Sequence, residues 1–182
     1  MPPPHEIRCW TRRLPSTNGT GNETAYTIST DPSLIDLAAV NAAFSSDMLY
    51  WAKSTPPETI KLFIEQSLCF GLYVHPEDPK SPKEMIGLAR LITDYATFGY
   101  LTDVYVLAPY QGRGLGRWLM ACLDEVLASW PHLRRCLLFT RGEAAVRMYG
   151  ETIGAKDVGE GSFLRGLVLL ERGGGGVGGG GG

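Results

Sequence analysis

The chain carries no broad field of one charge: 17 Lys and Arg face 19 Asp and Glu, for a net −2. That balance argues against nucleic acid or an anionic membrane as the partner. No apolar run reaches the length of a membrane helix. Met1-Pro2-Pro3-Pro4 begins no charged-then-apolar leader, so a cytoplasmic protein is expected. The four cysteines, Cys9, Cys69, Cys122 and Cys136, lack C-x-x-C spacing. Cys122 falls on an apolar helix face and Cys136 in a strand, so both read as buried free thiols suited to a reducing compartment. The three histidines, His5, His75 and His132, sit in proline-flanked loops without ligand spacing, and no metal is expected. Two sequons, at Asn18 and Asn22, fall in a polar stretch and read as coincidental.

A length of 182 residues suits one domain with a sizeable core. Residues 1–24 are rich in Pro, Ser, Thr, Asn and Gly and read as a flexible segment, with a short strand at Ile7-Arg8-Cys9-Trp10. From Gly173 to Gly182, nine glycines and Val177 have almost nothing to bury, which predicts a disordered tail. Residues 25–172 remain as the domain. Ala25–Ser29 reads as a strand, and Asp31-Pro32 as the start of a helix with Leu34, Leu37, Ala38 and Phe44 facing inward. Pro56-Pro57-Glu58 opens a second helix to about Gln66. Leu68–Val74 is a strand, and Glu84–Thr93 with Tyr100–Leu107 forms a hairpin about Asp94 to Gly99. A helix to about Trp130, a strand at Arg135–Thr140, a helix at Gly142–Ile153 and a strand at Leu164–Leu170 complete the chain. The order β-α-α-β-β-β-α-β-α-β predicts an α/β fold with a mixed, mostly antiparallel sheet flanked by helices.

The most informative stretch is Val104 to Arg117, an apolar strand passing through a glycine-rich turn into a helix. Leu115, Leu119, Cys122 and Val126 line one face of that helix. Gly112, Gly114 and Gly116 let the backbone approach a ligand, and the free N–H groups of the first turn favour an anion. Arg113 and Arg117 stand where the helix dipole prefers acids, which makes sense if an anion sits between them. The dinucleotide fingerprint fails, because Arg117 occupies its third glycine position. A Walker A loop fails too, because Gly116-Arg117-Trp118 is not Gly-Lys-Ser/Thr.

Gln111-x-x-Gly114-x-Gly116 resembles the Q/R-x-x-G-x-G/A signature of the GCN5-related N-acetyltransferases. Further landmarks resemble a group of small single-domain bacterial and fungal members. They are Tyr50-Trp51-Ala52, Ser67 to Gly71, Ala89 to Phe98, and Leu-x-Asp-Val-x-Val ahead of the turn. The resemblance spans about residues 25–170 and implies the GNAT fold, with acetyl-coenzyme A as cosubstrate and no metal. It implies that Gln111, Gly112, Arg113, Gly114, Leu115, Gly116 and Arg117 hold the pyrophosphate. It also implies that Val104, Tyr105 and Val106 offer a backbone edge to the pantetheine arm, with an N–H near Val106 polarising the carbonyl. The partners implied are acetyl-coenzyme A and an amine, with a homodimer left open.

Because a thioester is already activated, the site must hold a neutral amine, stabilise an oxyanion and protonate a thiolate. Ala145-x-x-Met148-Tyr149 resembles the family's A-x-x-L-Y, which makes Tyr149 the expected acid; a core tyrosine bonded to a backbone carbonyl is the alternative. The family's asparagine ahead of it is Gly142 here. Gly154 comes one residue later than usual, so either the helix end bulges or Gly154 is not equivalent. Asp103 is the candidate base, expected on one strand face with Leu101, Tyr105 and Leu107; ordering the hairpin is its other reading. Asp94 reads as a turn residue. Tyr50, Trp51, Phe98 and Tyr100 are expected to wall the acceptor pocket, where aromatic rings suit a small amine; core packing is the competing reading of Trp51. The function expected is direct acetyl transfer to an amine, and the alternative is a coenzyme A-binding sensor without turnover.

Overall fold

The strands lie in one sheet in chain order, with helices inserted between some of them. A computed structural model of the protein describes residues 6–16, 22–46, 49, 53–76 and 83–158. Within them, β1 (Cys9–Pro15), β2 (Glu23–Ser29), β3 (Leu68–Val74), β4 (Glu84–Thr93), β5 (Phe98–Val106) and β6 (Arg135–Leu138) form one sheet. Neighbours from β1 to β5 are antiparallel, and β6 joins β5 in parallel. The mixed, mostly antiparallel sheet is as expected. All seven residues of β3 are buried, which explains its unbroken apolar run: both faces of the sheet are covered.

Helices α1 (Leu37–Phe44) and α2 (Pro57–Glu65) cover one face, packing Val40, Phe44, Ile60 and Ile64 against Cys69, Tyr73, Leu88 and Tyr105. Helix α3 (Leu115–Ala128) covers the other with Leu115, Leu119, Cys122 and Val126, the stripe read from the sequence. Helix α4 (Glu143–Ile153) lies beside α3 and leans Met148, Tyr149 and Ile153 on the same core.

Three details differ from expectation. The short strand anticipated at residues 7–10 becomes β1, bonded to β2 from Cys9 to Pro15. Most of its residues are exposed, and tertiary contacts secure it. The Trp10 ring stacks on Phe70 and its indole N–H donates to Glu125 at 2.9 Å. The first helix is interrupted. Asp31 caps only a 3-10 turn at Pro32–Leu34, Ile35 is extended, and Asp36 caps afresh through the Ala38 and Ala39 amides. That break shifts the helical phase, leaving Leu34 and Ala38 exposed while Ile35, Val40, Ala43 and Phe44 turn inward. The third detail is a bulge in β5. Leu88 faces Tyr105 but Arg90 faces Thr102, so β5 carries one extra residue. Consequently Leu101 lies in the core under α3 and Tyr105 in the core under α1 and α2. The single face expected for Leu101, Asp103 and Tyr105 is corrected by that extra residue. The strand expected at Leu164–Leu170 and the glycine tail lie outside the described residues.

Candidate active site

At the end of β5 a 3-10 turn (Ala108–Tyr110) leads into the glycine loop. Gly112 and Gly114 adopt left-handed backbones, φ 73 and 75, which a side chain would strain. A Cβ at either would meet nothing within 4 Å among the described residues, so the loop's backbone is open on that side. Gly114 caps α3 without a side chain, and the first helical bond runs from Trp118 N–H to the Gly114 carbonyl at 3.0 Å. The amides of Leu115, Gly116 and Arg117 therefore lack helical partners. They border a cavity of about 550 Å³ lined also by Val104, Tyr105, Val106, Gln111, Met148 and Tyr149. The cradle residues match a diphosphate: backbone donors, a helix N-terminus and room that Cβ atoms would fill. The Gln111 side chain donates to the Val106 carbonyl at 2.8 Å and ties the loop to the strand.

The two cradle arginines do not flank one point. Arg113 turns back to the sheet, donating to the Tyr26 hydroxyl and the Pro15 carbonyl with its guanidinium over the Tyr26 ring. Arg117 lines the cavity and pairs with Glu151 of α4 at 2.6 Å. The flanking pair expected from the sequence is not formed: of the two, Arg117 alone lines the cavity, because Arg113 has a fixed station on β1 and β2.

β6 pairs with β5 only from Phe98 to Leu101, while β5 runs on to Val106. Beyond Leu101 the strands part and leave a wedge. Leu107 N–H donates to Ile86 of β4 at 2.8 Å. Amides alternate along a strand, so those of Val104 and Val106 face away from β4 into the wedge. Val104 and Val106 pack their side chains on the core under α3, as expected. A second cavity, about 480 Å³, fills the parting between Tyr100 to Val104 of β5 and Leu138 to Arg141 after β6. Tyr149 and Val104 line both cavities.

Tyr149 is half-buried, and burial raises the affinity of its hydroxyl for its proton. Its hydroxyl has no hydrogen-bond partner among the described residues, so the carbonyl bond of the alternative reading is not made there. The late glycine is absorbed by a wider turn at the end of α4. Left-handed Gly154 donates to the Tyr149 carbonyl, five residues back, in place of the usual four. The helix end bulges after Tyr149.

Asp103 lines the second cavity and is itself buried. Its carboxylate accepts from Arg90 Nε at 2.6 Å, and Arg90 Nη1 donates to Ser67 Oγ at 3.1 Å. Tyr100 lines that cavity too, edge-on to Phe139 with ring centroids 5.8 Å apart. Phe98, 40% exposed at the hairpin, lines neither cavity. Tyr50 and Trp51 lie outside the described residues. Met148, Phe139 and Arg90 were not singled out from the sequence. Met148 precedes Tyr149 in the same motif, and Arg90 stands inside a noted landmark; Phe139 carried no signal.

Residues 38–155 match the acetyltransferase (GNAT) family. A candidate acetyltransferase of Gibberella zeae, FG08082, is 41% identical over 155 residues, covering 79% of this chain and 86% of that protein. A solved structure of a candidate GNAT acetyltransferase from Xanthomonas campestris pv. campestris is 34% identical, with a TM-score of 0.62, over 81% of this chain and 92% of that one. A Staphylococcus aureus structure at 17% identity and a TM-score of 0.55, covering 81% and 98%, shares the fold. Members of the family use acetyl-coenzyme A as cosubstrate. With its glycine loop, parted strands and these likenesses, the chain belongs to the GNAT acetyltransferase family.

Proposed function

We propose that this protein is an acetyl-coenzyme A-dependent N-acetyltransferase that passes acetyl directly to the amine of a small molecule. The observation that carries the reading is the continuity from cradle to wedge: both cavities share Val104 and Tyr149. When bound, the cosubstrate supplies a thioester, already activated toward an amine.

The chain supplies the rest. Loop amides from Gly112 to Arg117, with the Arg117 charge, hold pyrophosphate, and Gln111 keeps the loop on β5. Pantetheine lies along the Val104-Tyr105-Val106 edge as an added strand, which places the carbonyl against a wedge-facing amide that stabilises the oxyanion. The ammonium passes one proton to Asp103, directly or through water, and the neutral amine attacks; the new C–N bond forms as the C–S bond breaks, and the nitrogen's surplus proton leaves through water and replaces the one Tyr149 gives up. Tyr149 gives its proton to the departing sulfur, a role open to a tyrosine hydroxyl, which carries its proton at neutral pH and holds it more tightly on burial. Tyr50, Trp51 and Tyr100 contact the acceptor. A cytoplasmic location fits four cysteines that form no disulfide.

Thiol release from acetyl-coenzyme A across a panel of amines tests the proposal, and turnover with at least one small amine is expected. Tight coenzyme A binding without turnover would instead mark a sensor module. Tighter binding of NAD than of coenzyme A would overturn the cradle assignment itself.

A further inference from the structure

We infer that Arg90 is a positioning residue for acetyl transfer: its buried clamp on Asp103 holds the β5 bulge that turns the Val104 and Val106 amides into the wedge. The inference rests on the acetyltransferase reading, since those amides matter only where a thioester carbonyl lies against them.

The bulge decides which way the amides point. Leu88 and Arg90 are two residues apart and meet β5 on the same edge of β4, opposite Tyr105 and Thr102, which are three apart. Thr102 and Tyr105 therefore both bond toward β4. In a regular strand Val104 and Val106 would share the direction of Thr102 and spend their amides on the β4 ladder. The extra residue reverses this, and the split of Leu101 and Tyr105 between the two cores records the reversal.

A left-handed backbone makes the turn. Asp103 has φ 51, a conformation that costs any residue with a Cβ, though Asp bears it better than most. Arg90 holds it there. Its Nε grips the carboxylate at 2.6 Å, and the two side chains are 14% and 7% exposed, so solvent screens the pair little. Ser67, just ahead of β3, takes Nη1, and the Phe63 ring of α2 lies 4.6 Å from the guanidinium carbon. The guanidinium is thus fixed to β5, to the approach to β3 and to α2. Arg90 lines neither cavity, so it acts through Asp103. A lysine would keep the charge but lose the planar fork that serves two partners at once.

The test uses the ¹⁵N-labelled full chain and the variants Arg90→Met and Arg90→Lys. In Arg90→Met, kcat should fall at least tenfold with the coenzyme A Kd within twofold. The Val104 and Val106 amide resonances should move while those of Gly112–Gly116 stay. Arg90→Lys should recover part of kcat. Wild-type kcat in Arg90→Met, a fall in kcat with both amides unmoved, or a change confined to coenzyme A affinity would each overturn the clamp. Should Arg90→Met strand a buried carboxylate and fail to fold, Arg90→Met/Asp103→Asn removes both charges. The same amide shifts are expected there, and their absence overturns the inference. A wild-type protein inert toward every amine would overturn the acetyltransferase reading alone, because the amide shifts are read without turnover.

Discussion

The two halves of β5 use the same backbone differently. From Gly99 to Leu101 it is paired on both edges, to β4 and to β6, and Phe98 is paired to β6. From Thr102 to Val106 only the β4 edge is paired by a strand among the described residues. Glycines follow the same division. In the closed half, a Cβ at Gly99 would meet Leu91 at 2.9 Å, so glycine there serves packing. Past the open half, a Cβ at Gly112 or Gly114 meets nothing among the described residues, so glycine there answers to a left-handed backbone and leaves the loop open beside the cavity. Unspent hydrogen-bonding groups next to unfilled room mark a binding surface; spent groups in filled room mark a scaffold. Substitutions in the open half should then change binding and turnover, and those in the closed half stability, apart from Tyr100, which lines the second cavity.

The largest effect is expected at Tyr149, where the two cavities meet. Tyr149→Phe keeps the ring's packing and removes the hydroxyl. Cofactor affinity should hold while kcat falls roughly 10²-fold, the usual scale for a lost general acid. Wild-type kcat in this variant would return Tyr149 to the core and leave water as the proton source.

Next comes Gly114→Val, which strains a left-handed position and fills the cradle with a branched side chain. The coenzyme A Kd should rise at least about tenfold, about 1.4 kcal/mol. Calorimetry on the folded variant reads this directly, and unchanged affinity would erase the distinction drawn between the two kinds of glycine.

A smaller effect separates the two cradle arginines. Arg117→Met should weaken coenzyme A binding roughly threefold to fivefold, less at high salt, because its charge borders the cavity. Arg113→Met should lower the Tm and leave Kd within about twofold, because its contacts are with Tyr26 and Pro15. Equal losses of affinity would mean that Arg113 leaves the sheet to meet phosphate, and the boundary of the open region would then include it.

This division also explains how much the sequence disclosed. Most elements carried strong local signals. Leu68–Val74 is an apolar run bounded by a polar turn and a proline, and α3 has a clean apolar stripe, so both came out in place. The cradle was legible because glycine spacing is itself the mechanism. What stayed hidden depends on distant partners. β1 is secured by Phe70 and Glu125, far along the chain. The bulge at Asp103 leaves an outwardly regular alternation, and its clamp comes from Arg90 on another strand. The turn of Arg113 away from the cradle rests on Tyr26 and Pro15, 87 and 98 residues earlier. Local chemistry announces what a segment can bind; where its side chains are already engaged is a property of the folded whole.

The smallest effect belongs to the closed end, at the turn joining β4 to β5. Asp94 Oδ1 accepts from the amides of Ala96, Thr97 and Phe98 at 3.0, 2.8 and 3.1 Å, while Oδ2 takes the Thr97 hydroxyl at 2.6 Å. These bonds, the Thr97 hydroxyl's foremost, hold the carboxyl far below the usual carboxylate range. Because the folded form is the stronger acid, the unfolded chain binds the proton first. The stabilisation is therefore complete above the ordinary value, near pH 4, and is lost progressively as the pH falls toward the depressed one. Asp94→Ala should lower the Tm slightly by a margin that is constant from about pH 7 to 5 and narrows below about pH 4. Coenzyme A affinity and kcat at neutral pH should match wild type, since the turn borders only the doubly paired half of β5. A Tm margin as wide at pH 3 as at pH 7 would remove Asp94 from the turn's support. A fall in coenzyme A affinity would show that the paired half of the strand is no mere scaffold, and that the wedge is tensioned from its closed end.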